Sequence, residues 1–404
     1  GSRSAAASSR AAGLWLQGLV SLPLVASSCD QWHTFSGLRS STYQLKGMLT
    51  EFTPLAVTAS VSAVMLVLLI RYAGQLGLVD HPRGRKDHVA PIPVVGGIAM
   101  LVGIAAGLVF AGPMSTEVLG LLGCGGLMVG VGVLDDRFDL NWRWRIFGQV
   151  LAAAVLALFS GVSLHQLGRL DESTYLTLGW AAVPFTVFAI VGLINAVNMI
   201  DGVDGLAGTL VLISLVVMAV IHPGGSPQFT MTLALSAAAV AVFLAFNARL
   251  PGRARALTFM GNSGSAFLGL LLAWAAIELT HGSAPAVTPA LAPWLVALPI
   301  MDCLTLIVRR MSEGRSPFDA DRCHFHHLLL DRGWRVPNVV IVAAVVHLSL
   351  GLVGLGLYAL GTPDLGLIAA FVAMTVVHYF VSGWLHVERG AAEMLTVASL
   401  IPRE

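Results

Sequence analysis

The sequence predicts an all-α polytopic membrane protein with about eleven transmembrane helices, its N-terminus outside and its C-terminus cytoplasmic. Three observations carry that prediction. Only 11% of the 404 residues are charged while 56% are hydrophobic, against roughly 25% charged in soluble domains. Apolar runs of helix-spanning length recur from residue 51 to residue 385, each close to the length a bilayer requires. With the N-terminus outside, the inside loops hold 18 Lys and Arg, the outside loops hold only Arg169, and four more fall in the N-terminal segment. Such a bias orients membrane proteins.

Residues 1–47 read as a vector-derived or non-native leader, with one transmembrane domain over 48–404 starting at Met48. Arg10, the short apolar run 11–25 and Ala26-Ser27-Ser28-Cys29 also mimic a signal peptide or lipoprotein site. The expected helices cover 51–70, 94–111, 117–134, 146–162, 176–194, 206–221, 229–246, 263–278, 290–308, 339–360 and 365–385. The shortest are 206–221 and 263–278. The glycines between Gly120 and Gly132 predict close helix packing, and Gly351-Leu-Val-Gly354 suggests a helix interface, with a homodimer as the expectation that family resemblance adds. No fixed-period repeat occurs and no soluble domain interrupts the series. The cysteines (Cys29, Cys124, Cys303, Cys323) form no CxxC, which argues against a disulfide framework or zinc ribbon. No basic stripe interleaved with aromatics supports nucleic-acid binding.

The aspartates are the informative residues. Asp80, Asp87, Asp135, Asp136, Asp139, Asp201, Asp204, Asp319, Asp321 and Asp331 all fall in inside loops, whereas only Asp171 and Asp364 fall outside beyond the leader. Acidic residues hardly follow the orientation rule. Aspartates gathered with arginines on one face therefore fit a site that holds a metal and phosphates.

Five segments make up that face. Asn195-Ala-Val-Asn198-Met-Ile-Asp201-Gly-Val-Asp204-Gly205 places two amides and two carboxylates at a membrane edge, where burial of a charge is costly. Asn198, Asp201 and Asp204 step by three along one helical face, and the glycines allow close approach; a helix cap is the plainer alternative. Asp135-Asp136-Arg137-Phe138-Asp139 closes a helix. It offers one carboxylate for a hard cation and one for a proton, or else a helix end paired to Arg137, Arg143 or Arg145. Met260-Gly261-Asn262-Ser263-Gly264-Ser265 opens a helix with backbone N–H groups suited to an anion, and Asn262 has an oxygen for a metal. Asp321-Arg322-Cys323-His324-Phe325-His326-His327 sits in the most basic loop. Contiguous ligands do not readily surround one zinc ion, so a diphosphate site with Arg309, Arg310, Arg315 and Arg322 is preferred over zinc. A basic loop meeting lipid headgroups remains open. His324 and His327 are expected on one helical face. Asp80 through His88, followed by Pro91 and Pro93, mixes carboxylates, cations and turn residues.

In this order, these segments resemble the polyprenyl-phosphate N-acetylhexosamine-1-phosphate transferases over nearly all of residues 50–385. The stretch from Arg309-Arg310 through Ser316-Pro317-Phe318 to His324-Phe325-His326-His327 is most similar to the bacterial WecA-type branch, which transfers GlcNAc-1-phosphate to undecaprenyl phosphate. The resemblance implies a multi-pass protein of the bacterial inner membrane with its active site facing the cytoplasm. It implies the first membrane step of O-antigen and cell-envelope polysaccharide synthesis. The substrates would be UDP-GlcNAc and undecaprenyl phosphate, drawn from the surrounding membrane lipid, and the products undecaprenyl-diphosphate-GlcNAc and UMP. Mg²⁺, or Mn²⁺ in its place, would offset the phosphate charge.

By the same resemblance Asn198 and Asn262 contact the metal. Asp135 and Asp136 lie near the lipid phosphate, with Asp135 keeping it deprotonated, and Asp80 joins the catalytic set. Asp201 and Asp204, catalytic as well, line the nucleotide-sugar site with Asn195. His324, His326, His327, Arg310, Arg322 and Lys86 hold phosphates. Direct attack is preferred over a covalent carboxylate intermediate. The family pattern has Asp where this chain has Asn262, so the expectation is an engineered, inactivating replacement, with an active natural variant as the competitor. The alternatives are another UDP-N-acetylhexosamine or MurNAc-pentapeptide as donor, a silent substrate-binding form, and a carboxylate-relay transporter, which predicts mid-helix acids and repeated halves.

Overall fold

The computed structural model describes residues 36–80, 91–170, 174–222, 226–282, 285–316 and 323–400, with side chains over 52–386 within those ranges. The chain divides into two compact units, 1–49 and 50–404. Of the first, only helical backbone over 36–49 is described.

Each apolar run expected to be helical contains a helix, though the run 176–194 becomes α-helical only at Ala182 and the run 290–308 is broken at Val296. The helices are α1 (Ser36–Leu76), α2 (Gly96–Ala111), α3 (Thr116–Phe138), α4 (Trp142–Phe159), α5 (Ala182–Ile200), α6 (Leu206–Val220), α7 (Pro227–Asn247) and α8 (Gly261–His281). A short α9 (Ala292–Leu295) leads into α10 (Ala297–Ser312), followed by the six-residue α11 (Phe325–Leu330), α12 (Val336–Ala359) and α13 (Asp364–Leu400). Among the described residues, eight helices are long and apolar enough to cross a bilayer alone, and the bent pair formed by Pro289–Leu295 and α10 raises the number to nine. The apolar helices α2 and α6, with 16 and 15 residues, fall short of a full span.

The sequence marks 206–221 and 263–278 as the shortest runs, and the structure separates them. The first is the short α6; the second lies within α8, a full 21 residues. Helix α8 is the centre of the bundle, with 89% of its most apolar window buried, against 17–44% in the other single spans. Its small residues and those of its neighbours let backbones meet. A Cβ on Gly132 of α3 would collide with the Ser263 backbone, and one on Gly269 of α8 with Ile194 of α5. Such contacts hold membrane helices together where no hydrophobic difference from lipid drives them. Gly132→Ala is therefore expected to cost about 1–3 kcal/mol, the usual penalty for overpacking. Gly130→Ala, on a face with nothing within 4 Å, is the control. Thermal unfolding in detergent reads both, and equal midpoints would contradict the packing account.

The break between α9 and α10 bends the chain by 86°. The backbone groups freed there find partners. Ser214 Oγ donates to the Leu295 carbonyl at 2.8 Å and lies 2.9 Å from His347 Nε2, while the Leu298 N–H donates to His347 Nδ1 at 3.4 Å. Irregular backbone at membrane depth persists only where protein satisfies it. The Gly351–Gly354 pair, expected at a helix interface, is occupied within the chain. A Cβ at Gly354 would strike the Trp294 side chain, so this stripe seats Trp294 of the same chain.

Two small ribbons flank the bundle. β1 (Val79–Asp80) pairs antiparallel with β2 (Ile92–Pro93), and β3 (Gln166–Arg169) with β4 (Tyr175–Thr177). The first ribbon is tied to the segment entering α8. The Phe259 N–H donates to the Pro93 carbonyl at 2.8 Å, and the Gly96 N–H to the Phe259 carbonyl at 3.1 Å. These bonds bring Asp80 to the end of the bundle where α3 and α5 finish and α8 begins.

Candidate active site

Two cavities meet at that end and share Asp135, Asn198 and Asn262. One, of about 1180 Å³, is polar. Its walls include Asp80, Asp136, Asp201, Asp204 and His327. The other, of about 660 Å³, is mostly apolar, with Arg145, Asn195, Arg310 and His324 among its few polar residues. Its lining includes Trp142, Val150 and Phe188, which are exposed apolar side chains, so this cavity reaches the lipid-facing surface.

The carboxylates that look alike in sequence have different surroundings. Asp135, at the end of α3, accepts the Leu140 N–H at 2.9 Å and pairs with Arg145 at 3.3 Å. Asp136 accepts the N–H groups of Asn262 and Ser263 at 2.8 and 3.2 Å. The anion that the N-terminus of α8 attracts is thus the chain's own carboxylate, which fixes α3 against α8. Gly261 has a positive φ of 71°, and a Cβ there would collide with Asp136, so this turn requires glycine. Asp204 pairs with Arg249 at 2.7 Å and accepts the Ala256 N–H at 3.3 Å.

Asp201 is the exception. Among the described residues no donor reaches its carboxylate, which lines the polar cavity. Burial first, and then the charges of Asp136 and Asp204, push it up to about 7. A half-buried carboxylate of raised pKa facing a cavity is a candidate for chemistry.

Asn198 donates from Nδ2 to Asn262 Oδ1 at 3.1 Å and to Ser265 Oγ at 2.7 Å. Its own carbonyl oxygen is the atom left for the cavity. Asn195 is tied to Gln149 at 2.7 Å and to the Val191 carbonyl at 2.8 Å. It lies on the apolar cavity, one turn from Asn198, and is not brought together with Asp201 and Asp204.

The histidine loop closes the site. A Cβ at Gly202 would collide with His326 Nε2, so the imidazole rests directly on the Asn–Asp loop. His324 and His327, expected on one helical face, are divided: His324 caps the start of α11 and lines the apolar cavity, while His327 lines the polar one. Lys86 and Arg322 lie outside the described residues.

One residue was missed by the sequence reading. Asp302 of α10 is 2% exposed, and its ligand atom lies within 4.8 Å of those of His324 and His326, a buried group able to hold a metal ion. Asp302 lies outside the contiguous run Asp321–His327. A lone carboxylate inside the apolar run 290–308 was the signal that could have found it.

The donor set also fits Mg²⁺, which takes one or two protein oxygens and keeps water or substrate phosphates. Asp201 has a carboxylate without a protein donor, and Asn198 has its carbonyl oxygen. Asn262 Oδ1 already accepts from Asn198 and is a neutral, poorer ligand.

Comparison with known proteins agrees in outline. Residues 118–280 match glycosyl transferase family 4. The chain is 32% identical to the undecaprenyl-phosphate alpha-N-acetylglucosaminyl 1-phosphate transferase of Yersinia pestis over 308 residues, 76% of this chain and 84% of that protein. It is equally similar, over the same shares, to the Escherichia coli K12 protein of the same name. The Haemophilus influenzae protein of that name is 34% identical over 271 residues, 66% of this chain and 76% of its own length.

Proposed function

We infer the reaction from a premise the comparisons establish: the chain belongs to glycosyl transferase family 4, with the undecaprenyl-phosphate GlcNAc-1-phosphate transferases. It transfers GlcNAc-1-phosphate from UDP-GlcNAc to undecaprenyl phosphate in the bacterial inner membrane, yielding undecaprenyl-diphosphate-GlcNAc and UMP. The positive-inside bias supports a site facing the cytoplasm. The observation that carries this reading is the pair of joined cavities. An apolar groove reaching the lipid face meets a polar chamber at Asp135, Asn198 and Asn262, as a lipid acceptor and a soluble donor require. The relatives' names favour transfer over an ion relay.

In this proposal the polyprenyl chain lies along the apolar cavity, and its phosphate sits at the junction beside Arg145, Arg310 and His324. A phosphate monoester has a second pKa of about 6, so the acceptor is largely a dianion at neutral pH. Asp135, held by Arg145, keeps it so. Asp201 and Asp204 face the nucleotide sugar, with Asp204 fixed by Arg249 and Asp201 presented to the ligand. Asp80 borders the same chamber. His326 and His327 lie by the donor phosphates, and Asp136 positions Asn262 by holding the start of α8. A phosphate oxygen of the lipid attacks the sugar-linked phosphorus. The bond from that phosphorus to the bridging oxygen breaks, and UMP leaves with the electron pair. Mg²⁺ held at Asn198 and Asp201, with Asn262 as an added weak ligand, would neutralise the diphosphate when bound. Binding and orientation by these residues supply the rest.

The defining experiment is UMP release and lipid-linked product formation from UDP-GlcNAc with purified protein, undecaprenyl phosphate and Mg²⁺. Absence of product from both this chain and Asn262→Asp would overturn the assignment. A panel of UDP-sugars tests the sugar.

The state of Asp201 predicts the pH profile. Its carboxyl is raised to about 7, so the protonated form prevails below that value. With the ionised form needed to hold the metal, kcat/KM at limiting Mg²⁺ falls as pH drops below about 7, and saturating Mg²⁺ should move that limb to lower pH. The folded state also keeps a proton that the unfolded chain has released. Stability of the substrate-free protein is therefore greatest below the ordinary carboxylate range and is lost as pH rises through about 7. A flat kcat/KM between pH 5 and 8 at limiting Mg²⁺ would exclude Asp201 as the titrating group.

A further inference from the structure

Asp302 has no task in the reaction just described, yet two histidines, His324 and His378, face its carboxylate. It lies within α10, 2% exposed. Its Oδ2 is 2.8 Å from His324 Nδ1, and its Oδ1 accepts the Phe325 N–H at 2.9 Å. His378 Nε2 of α13 lies 3.5 Å from the same Oδ1. One carboxylate thus joins α10, α11 and α13.

A carboxylate at membrane depth costs about 2.5–3.5 kcal/mol or more. Packing alone would be served by an apolar side chain. The geometry explains what the carboxylate adds. With Nδ1–H donating to Asp302, the imidazole of His324 has one rotamer and presents Nε2 as its remaining polar atom. A partner on one ring nitrogen is what fixes the role of the other. His324 lines the apolar cavity with Arg310 and Asp135, where the lipid phosphate meets the donor.

We propose that Asp302 is a positioning residue for phosphoryl transfer, which fixes the orientation and tautomer of His324 so that Nε2 faces the acceptor phosphate. This rests on the reading that His324 contacts phosphate. Asp302 acts through His324 and touches no substrate. Its second oxygen holds the start of α11, so the histidine cannot turn away with its loop. A metal chelate of Asp302, His324 and His326 is the competing use of these atoms. The direct 2.8 Å contact and the Phe325 N–H already engage both carboxylate oxygens, which favours the hydrogen-bonded arrangement.

A double-mutant cycle on the full chain tests it, with Asp302→Asn, His324→Asn and the combination assayed in the background in which turnover is measurable. Asp302→Asn is expected to raise KM for undecaprenyl phosphate by about tenfold, the lower end of what orienting partners contribute, and to leave KM for UDP-GlcNAc within about twofold. Added to His324→Asn, it should change kcat/KM no further. Additive losses, or equal KM changes for both substrates, would overturn the proposal. Carbethoxylation of His324, followed by peptide mass spectrometry without substrate, provides a readout independent of turnover. Its rate should change by at least about threefold in Asp302→Asn, because the released ring exposes a different nitrogen. If neither background makes lipid-linked product, the functional reading fails and the labelling alone decides positioning; an unchanged rate then rejects it. Zinc or another transition metal co-purifying at one per chain, and lost in Asp302→Asn, would also reject it.

Discussion

Asp201→Asn is expected to lower kcat/KM for UDP-GlcNAc by about 10²–10³-fold, within the range typical of a positioned ionisable group. Its neighbours explain why this residue should weigh more than the other acids. Asp135, Asp136 and Asp204 each accept hydrogen bonds or pair with arginine inside the protein. Asp201 alone among these four has no donor within the described residues, although burial and two nearby carboxylates oppose its charge. Raised to about 7, Asp201 is only partly ionised at neutral pH in the substrate-free protein, and a cation arriving with the substrate would favour its charged form. Asp204→Asn is expected to act more mildly, through its pair with the partly exposed Arg249. The acid limb of the pH profile should vanish in Asp201→Asn. Turnover within about threefold of the parent, well short of the loss expected on removing such a group, would exclude Asp201 from the reaction.

Asn262→Asp is expected to raise UMP release by about 10–100-fold, the scale on which metal-site ligands and their partners act. The Asn198 amide already donates to Oδ1 of residue 262, and a carboxylate there would accept a stronger, charge-assisted bond. It would also place a full charge close to Asp136 and Asp201. Without a divalent cation that crowding should lower the thermal midpoint relative to the parent, and Mg²⁺ should restore it. The parent chain, with Asp201 as its charged ligand, should show a smaller midpoint shift with Mg²⁺ than Asn262→Asp. Equal rates in the two proteins would remove the view that Asn262 silences this chain and would leave Asp201 as the charged oxygen for the metal.

The helices were legible because bilayer length and hydropathy are local properties. The five polar segments were legible because charge at a membrane edge is costly and hence conspicuous. Individual roles were not. Adjacent or closely spaced carboxylates such as Asp135 and Asp136, or Asp201 and Asp204, differ little in sequence context. Only contacts with Arg145, the α8 N-terminus and Arg249 separate them. Gly351 and Gly354 suggested a helix interface, but spacing does not reveal which surface is met; the structure sets Trp294 of the same chain against Gly354. Asp302 escaped notice because a single carboxylate hardly alters the hydropathy of its run, and its histidines lie more than twenty residues away.

The sequence by itself determined that this is a multi-helix membrane protein, that its aspartates and arginines gather at one end of the bundle, and which family it resembles. Each follows from composition, periodicity or short motifs, which survive without knowledge of the fold. Tertiary structure decided which carboxylate is left for a ligand, which histidine faces which cavity, and that Asp302 stands behind His324. Those facts depend on desolvation and on hydrogen bonds between residues tens to more than a hundred positions apart, and only the packing of α3, α5, α8 and α10 brings them within reach.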